Sequence, residues 1–358
     1  EVKHIYSLLG AGDNVERYIG PRNHGYHEEN RQAMVRFFNA HTGLDKAFEE
    51  KVSAVNRNED LSCVPGGQVN HTGSKKTFTF TAEKGETLAA NRKPLKGNQL
   101  LEAVRRLLNI GQGIEAPYYR ILKPRSNNRG TVCNRFALET EENILSMLYL
   151  LKEGAWLHLP EDEPVDLYVA HLSSMDDIQS GAIETGTDTS RTSLALDPRG
   201  IGETRSIACH MQEFFAFYDA DYMHTCVSNM LGEPYVGRKT LDILKACVLL
   251  KENGCADIHL RGRGMGALPA AFAGLLSEAV TRVTLVNAPL SYSELTQSPT
   301  YKWPFSQFIH GVLNHWDLPD IYQALAEKKL RIIDPYDGKM KRWAPDEGRD
   351  HAEELGID

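Results

Sequence analysis

The sequence predicts an α/β protein with a mainly parallel sheet covered by helices on both faces, and three observations predict it. Compact apolar runs at 165–170, 192–196, 257–260, 283–286 and 330–333 have the length of buried strands. Helical spacings lie between them, at 238–252, where Leu241, Leu244, Lys245 and Val248 share a face, and at 267–276, rich in small residues. Strands buried on both sides lose the polar alternation of half-exposed ones, so continuous apolar runs alternating with helices mean a parallel sheet.

The elements ahead of this core follow in order. At 1–44 the pattern is helix, strand, loop, helix. Ile5, Leu8 and Leu9 give helical spacing that Gly10-Ala11-Gly12 stops, 15–19 is a short strand candidate closed by Gly20-Pro21, and 28–41 repeats apolar residues at three and four. Glu28 and Glu29 in the first turn suit the positive end of that helix. One strand with two helices cannot bury its own faces, so this tail must dock on a sheet. Residues 45–129 are expected to be a linker, irregular and polar at 45–96, with a turn cluster at Val64-Pro65-Gly66-Gly67. Within it, Thr77-Phe78-Thr79-Phe80 alternates like a small β element, 97–109 is a helix, and 118–123 is a strand. The module proper runs over 130–358, where 132–140 forms an antiparallel pair with 118–123 and 143–151 is a third strand or a short helix. No internal repeat of solenoid period is present.

Composition narrows the function classes. With 41% hydrophobic and 25% charged residues over 358 positions, the chain is folded and long enough for one large or two smaller domains. The formal net charge is −8 and no basic block exceeds pairs such as Lys75-Lys76, which argues against nucleic acid as a partner. No apolar run reaches membrane-spanning length, so no membrane partner is expected. The six cysteines show no C-x-x-C spacing; free thiols are the plain expectation, with one or two disulfides open if the protein is exported. No metal or other cofactor is expected. Because the chain starts without Met, inside an amphipathic pattern, it is expected to be a fragment or a processed product.

The chemistry rests on Ile258-His259-Leu260-Arg261-Gly262-Arg263-Gly264-Met265-Gly266-Ala267. A strand, a G-x-x-x-G frame and a small-residue helix make a nucleophile elbow, which normally reads G-x-S-x-G and holds its serine in strained geometry above the sheet. The middle position here is Gly264, which takes positive φ without steric cost but has no hydroxyl to attack with. A dinucleotide loop fails, because its fingerprint needs G-x-G-x-x-G at the first βα unit. Residues 136–340 are therefore expected to be an α/β-hydrolase module without ordinary serine-esterase chemistry. Met265, just past the bend, is expected in the oxyanion pocket. Gly264→Ser is expected to fold at a cost of roughly 1–2 kcal/mol of backbone strain and to gain little activity unless a histidine lies within reach.

Taken with this elbow, Asp197-Pro198-Arg199-Gly200-Ile201-Gly202-Glu203-Thr204-Arg205, Gly232-x-x-Tyr235-x-Gly237-Arg238 and Asn287-Ala288-Pro289-Leu290-Ser291-Tyr292 give an order that resembles bacterial acetyl xylan esterase-like α/β-hydrolases, relatives of the prolyl oligopeptidase group. The likeness extends to tandem proteins in which a degenerate module follows an active one. Gly20-Pro21-Arg22-Asn23-His24-Gly25-Tyr26 and the helix after it are similar to the last strand, catalytic-histidine loop and final helix of such esterases. The resemblance implies that His24 is the triad histidine of a preceding module, a missing upstream partner; the alternative is that 1–44 docks back on this chain's own sheet. It also implies ester hydrolysis on acylated plant polysaccharide, and a periplasmic or secreted protein.

Other candidates carry weaker chemistry. Asp334 and Asp337, in Asp334-Pro335-Tyr336-Asp337-Gly338, follow a late strand where a triad acid often sits, although a simple turn explains them as well. Ser173 and Ser174, with His171, follow the strand whose end supplies an oxyanion-hole amide. Asp219, Asp221 and His224 crowd one segment without a metal-ligand rhythm. Arg199 and Arg205 are expected in buried structural ion pairs. His310 and His315 lie near Trp303, Pro304 and Trp316, an aromatic stretch suited to sugar stacking or to packing. Three functions stay open: a silent structural module of a carbohydrate esterase, an esterase using Ser173, Ser174 or water with His24 as base, and a carbohydrate-binding module in the old pocket.

Overall fold

The computed structural model describes residues 1–43, 56–126, 132–206, 220–354 and 356–357. Asp219 and Cys209 lie outside them. The chain divides into two compact units, Glu1–Ser74 and Lys75–Asp358.

The first unit holds helices α1 (Val2–Leu8), α2 (Glu28–Thr42) and α3 (Asn58–Leu61). α2 begins with Glu28 and Glu29 at its positive end and stops at Gly43, which takes the left-handed conformation at φ +70°. The strand expected at 15–19 does not form: the segment has no ladder partner among the described residues and stays largely exposed. A lone extended segment gains no cross-strand bonds, so its few apolar residues cannot hold it as a strand. Ala33 is the one fully buried residue described in this unit, whereas Leu8, Leu9 and Ile19 are each more than two-thirds exposed. A unit this poor in buried apolar area does not hold its own shape by burial.

The second unit opens with α4 (Thr77–Asn91), not the small β element expected at 77–80. Over the longer stretch Ala82, Gly85 and Leu88 recur every three residues; the first two are buried and Leu88 packs on the core. Burial of that helical face outweighs the local preference of Thr77–Phe80 for strand. α5 (Gly97–Leu108) buries Leu100, Ala103, Val104 and Leu108. The strands are β1 (Tyr118–Ser126), β2 (Val132–Glu141), β3 (Ile144–Leu151), β4 (Val165–Val169), β5 (Thr192–Asp197), β6 (Ile258–Arg263), β7 (Val280–Val286) and β8 (Arg331–Ile333). Between and after them come α6 (Ser174–Ser180), α7 (Asp221–Met230), α8 (Tyr235–Glu252), α9 (Ala267–Leu276), α10 (Tyr292–Gln297), α11 (Leu318–Leu325) and α12 (Pro345–Glu354). Residues 143–151, left open between strand and helix, are strand β3.

Among the described residues these eight strands form one sheet in the order β1-β2-β3-β5-β4-β6-β7-β8. β1, β2, β3 and β5 pair antiparallel in turn, while β5, β4, β6, β7 and β8 run parallel. Antiparallel entry strands, a β4–β5 exchange and a strand–turn–helix elbow on β6 make this an α/β-hydrolase fold.

Side chains alternate between two apolar layers, as the pleat requires. Phe136, Leu138, Leu148, Leu150, Leu167, Val169, Leu194 and Leu196 face a thick layer built on α5, α8, α9 and α11. Ala137, Met147, Tyr149, Tyr168 and Ala195 face a thinner one with Ile178 of α6 and Ile183. Several polar side chains inside the sheet are paired, while the buried hydroxyls of Thr140 and Ser146 find no partner among the described residues. Arg261 is wholly buried; its Nε donates to Asp166 Oδ1 at 2.6 Å and its Nη1 to the carbonyls of Ile183 and Thr185. His259 Nε2 lies 2.9 Å from Thr284 Oγ1, and its Nδ1 lies 3.1 Å from Asp166 Oδ2 without the alignment of a good hydrogen bond. Burial alone would raise the Asp166 carboxyl, but His259 and Arg261 outweigh it and hold it below its ordinary value. This Asp–His–Thr set has the connectivity of a catalytic triad, yet its side chains are almost completely buried and none lines the cavity described next. It ties β4, β6 and β7 to the loop at 183–187; losing one partner of such a pair costs about 3–5 kcal/mol.

Candidate active site with an occupied elbow

β6 ends at Arg263, the chain bends through Gly264-Met265-Gly266, and α9 starts at Ala267. Gly264 sits at φ +54° in this bend. A Cβ on Gly262 would come within 2.5 Å of the Gly266 carbonyl, and one on Gly266 within 2.6 Å of the Val169 and Ala170 carbonyls. Strand, helix and the neighbouring β4 therefore approach too closely here for any side chain at the two frame positions.

The volume above Gly264 is filled by His171, from the loop after β4. A Cβ built on Gly264 would lie 2.3 Å from His171 Nδ1 and 2.9 Å from its Cγ. The same Nδ1 accepts a hydrogen bond from the Met265 amide at 3.1 Å. In this fold the amide after the nucleophile is one of the two donors that hold a substrate's oxyanion. One imidazole thus stands where the attacking side chain would be and also takes up an oxyanion donor. Burial, and then the Arg263 guanidinium, push the His171 pKa down to about 4, with Asp177 opposing. The ring is neutral at pH 7; its Nδ1 accepts, so Nε2 carries the proton.

Asp177 on α6 holds this arrangement. Its Oδ1 accepts from Arg263 Nη1 at 2.8 Å, and its Oδ2 accepts from the Tyr168 hydroxyl at 2.6 Å and, more loosely, from the His171 amide at 3.4 Å. One buried carboxylate thereby fixes the elbow, β4 and the histidine loop to each other. In the sequence this loop stands out by its hydroxyls, and the structure gives the central place to its histidine instead. Ser173 caps α6, its Oγ accepting from the Asp176 amide at 3.2 Å. Ser174 is buried, and its amide donates to Asp197 Oδ1 at 2.8 Å. Neither serine lines the cavity.

His24 lies in the first unit, on an exposed loop, in a shallow depression with Tyr18, Asn30 and Met34. Asp334 directly follows β8; its carboxylate is half exposed, 3.3 Å from Arg342, and its carbonyl accepts from Asn287. Asp337 closes a turn, its Oδ1 accepting from the amides of Lys339 and Lys341 at 2.9 and 2.8 Å. Neither carboxylate is bonded to a histidine among the described residues. Asp221 is not exposed for metal binding: it pairs with the buried Lys239 at 2.9 Å, and no cluster of metal-ligating side chains occurs among the described residues. Arg199 makes the expected buried pair, with Asp242 at 2.6 Å, but Arg205 is exposed. Trp316 belongs to the core, packed edge-on to Phe272, so it offers no sugar-stacking surface. His310 is exposed, and His315 lies 3.4 Å from Arg106.

Gly264 and His171 form the floor of a cavity of about 990 Å³. It opens at the carboxyl ends of β4, β6, β7 and β8, where α/β sheets place their ligands. Asn287 follows β7 and Tyr336 lies beyond β8; Tyr222, Tyr301, Trp303 and Phe305 add aromatic surface. No serine, threonine or cysteine lines it among the described residues. Trp303 was a sequence candidate; Asn287, Arg263 and the lysines of the rim were not, and their only signal was position just past a strand or next to the aromatic run 301–305.

No family model matches the chain, and no curated protein does. Among solved structures it is similar to one assigned as an acetyl xylan esterase of Bacteroides fragilis, at 12% identity and a TM-score of 0.49, covering 74% of this chain and 72% of that one. It is also similar to acetyl xylan esterase 1 of Thermoanaerobacterium, at 10% identity and a TM-score of 0.42, covering 76% and 98%. A third is a glucuronoyl esterase of Solibacter usitatus, at 11% identity and a TM-score of 0.33, covering 72% and 75%. At such identities the likeness is one of fold.

The occupied elbow corrects the expectation for Gly264→Ser. A histidine is within reach, but it stands in the space the new side chain needs. The substitution should cost more than the roughly 1–2 kcal/mol of positive-φ strain, by about 1–3 kcal/mol of overpacking. Adding His171→Ala should recover that second part, so urea midpoints of the two single variants and the double variant should be non-additive. Additive losses would mean that His171 does not occupy the site.

Proposed function

We propose that the second unit is a hydrolytically silent α/β-hydrolase module of a carbohydrate esterase-like protein acting on acylated plant polysaccharide, and that its old active-site cavity is kept as a binding chamber. The observation that carries this reading is the imidazole of His171 over Gly264, accepting from the Met265 amide. Covalent hydrolysis needs an attacking oxygen and free oxyanion donors. The attacker is missing and one donor is engaged. A working esterase with Ser173 or Ser174 as nucleophile is disfavoured, since one caps a helix and neither lines the cavity. A cavity with aromatic walls and no serine, threonine or cysteine among its described lining residues suits a binding role.

The first unit belongs to the same proposal. It buries little besides Ala33 among the described residues and presents Leu8, Leu9 and Ile19 to solvent. Such a segment is suited to pack on a preceding hydrolase module, where His24 would serve as that module's base.

Two measurements test this. The chain, given p-nitrophenyl acetate or acetylated xylo-oligosaccharides, should show no burst and no saturable turnover, and His24→Ala should change nothing. Saturable turnover abolished by Ser173→Ala, Ser174→Ala or His24→Ala would overturn the silent module. In hydrogen exchange on the chain alone, the amides of α2 should exchange about a hundredfold or more faster than those of β4 and β6. Equal protection would mean that the tail is held within this chain.

A further inference from the structure

The cavity over the elbow is basic in a chain whose formal net charge is −8. Four cationic residues line it: Arg263, Lys302, Lys339 and Lys341. Arg263 is already matched by Asp177, and Asp221, the single lining carboxylate among the described residues, by Lys239. The three lysines are not matched: no carboxylate lies within 4.0 Å of their ammonium groups among the described residues. Asp337, nearest in sequence, turns its Oδ1 to the amides of its own turn. Asp334 is paired with Arg342.

The lysines come from two segments that the fold pins together. The Lys302 amide donates to the Gly338 carbonyl at 2.9 Å, and the Trp303 indole to the Asp337 carbonyl at 2.9 Å. These bonds set the segment 300–303 beside the turn that carries Lys339 and Lys341. Like charges gathered around one concavity repel each other, and low-dielectric walls strengthen their field toward anions. Aromatic rings share the same rim: Tyr301 is 54% and Phe305 38% exposed, with the Tyr222 ring 5.8 Å from Phe305. Exposed rings next to unmatched cations suit a ligand that brings both a flat apolar face and a negative charge. At the floor, the Nε2 proton of His171 has no partner among the described residues, which leaves one neutral donor.

We infer that this cavity binds a ring-bearing carboxylate, such as an acidic sugar unit, with the charge met by Lys302, Lys339 and Lys341 and the ring face by Tyr301 and Phe305. The inference rests on the reading of the cavity as a binding chamber, but it is tested by binding alone. The silent elbow can therefore hold while this fails, and the reverse.

The experiment is calorimetric titration of the chain with trigalacturonate, xylotriose and ferulate. Trigalacturonate should bind, xylotriose should bind at least about tenfold more weakly, and raising salt from about 0.05 M to about 0.5 M should weaken the first alone. The triple variant Lys302→Gln, Lys339→Gln, Lys341→Gln, at exposed positions that leave the core intact, should lose at least about tenfold in affinity for trigalacturonate, with xylotriose little changed. Tyr301→Ala should weaken it further without altering the salt response. Binding of ferulate but not of trigalacturonate would keep the carboxylate and assign the ring to an aromatic acid. Equal binding of xylotriose, no effect of the triple variant, or no binding of either carboxylate would overturn the inference.

Discussion

One contact governs the chemistry of this molecule: the neutral imidazole of His171 resting on Gly264 and accepting from the Met265 amide. A side chain at position 264 and an imidazole in this place exclude each other. The glycine leaves room for the ring, and the ring satisfies an amide that the bend would otherwise aim at open space. Burying that amide without a partner would cost about 1–3 kcal/mol. The two residues therefore form a unit, stable in a way that a simple deletion of the hydroxyl would not be.

The architecture sets up the contact from several directions. Parallel pairing brings the ends of β4 and β6 side by side, with Val169 opposite Gly262. The histidine loop and the elbow leave from those adjacent ends. Asp177 then joins them, holding Arg263 on one side and Tyr168 and the His171 amide on the other. Beneath, Arg261 and Asp166 lock the same two strands through the interior. A rigid base of this kind keeps a cavity open even without a reaction to serve.

Much of the fold was legible in the sequence because its signals are local. The runs at 165–170, 192–196 and 283–286 are long, apolar and bounded by turn residues, and the elbow declares itself through glycines that its geometry demands. The segments at 15–19 and 77–80 were misread for the opposite reason. A strand at 15–19 needs a neighbouring strand that the described residues of the first unit do not supply, and Thr77–Phe80 joins a helix whose buried face appears only over the next ten residues. At the site, Gly264 was visible and His171 was seen only as part of a polar loop. The 92 positions between His171 and Gly264 carry no hint that the two meet; the pairing of β4 with β6 decides it. Trp316 offered an aromatic surface in sequence and went to the core, while Lys339 and Lys341 looked like ordinary turn residues.

The most direct measurement is the protonation of His171, followed by long-range proton–nitrogen correlation of the histidine rings with His171→Gln to assign the signal. The account predicts a neutral ring with its proton on Nε2 from pH 8 down to about 4, against an ordinary imidazole value of 6.5. Below 6.5 the unfolded chain takes up a proton that the folded chain refuses until about 4, so this contribution is complete above 6.5 and is lost as the pH falls through that window. A ring that titrates near 6.5, or one that carries its proton on Nδ1, would not be accepting from Met265 and would contradict the account.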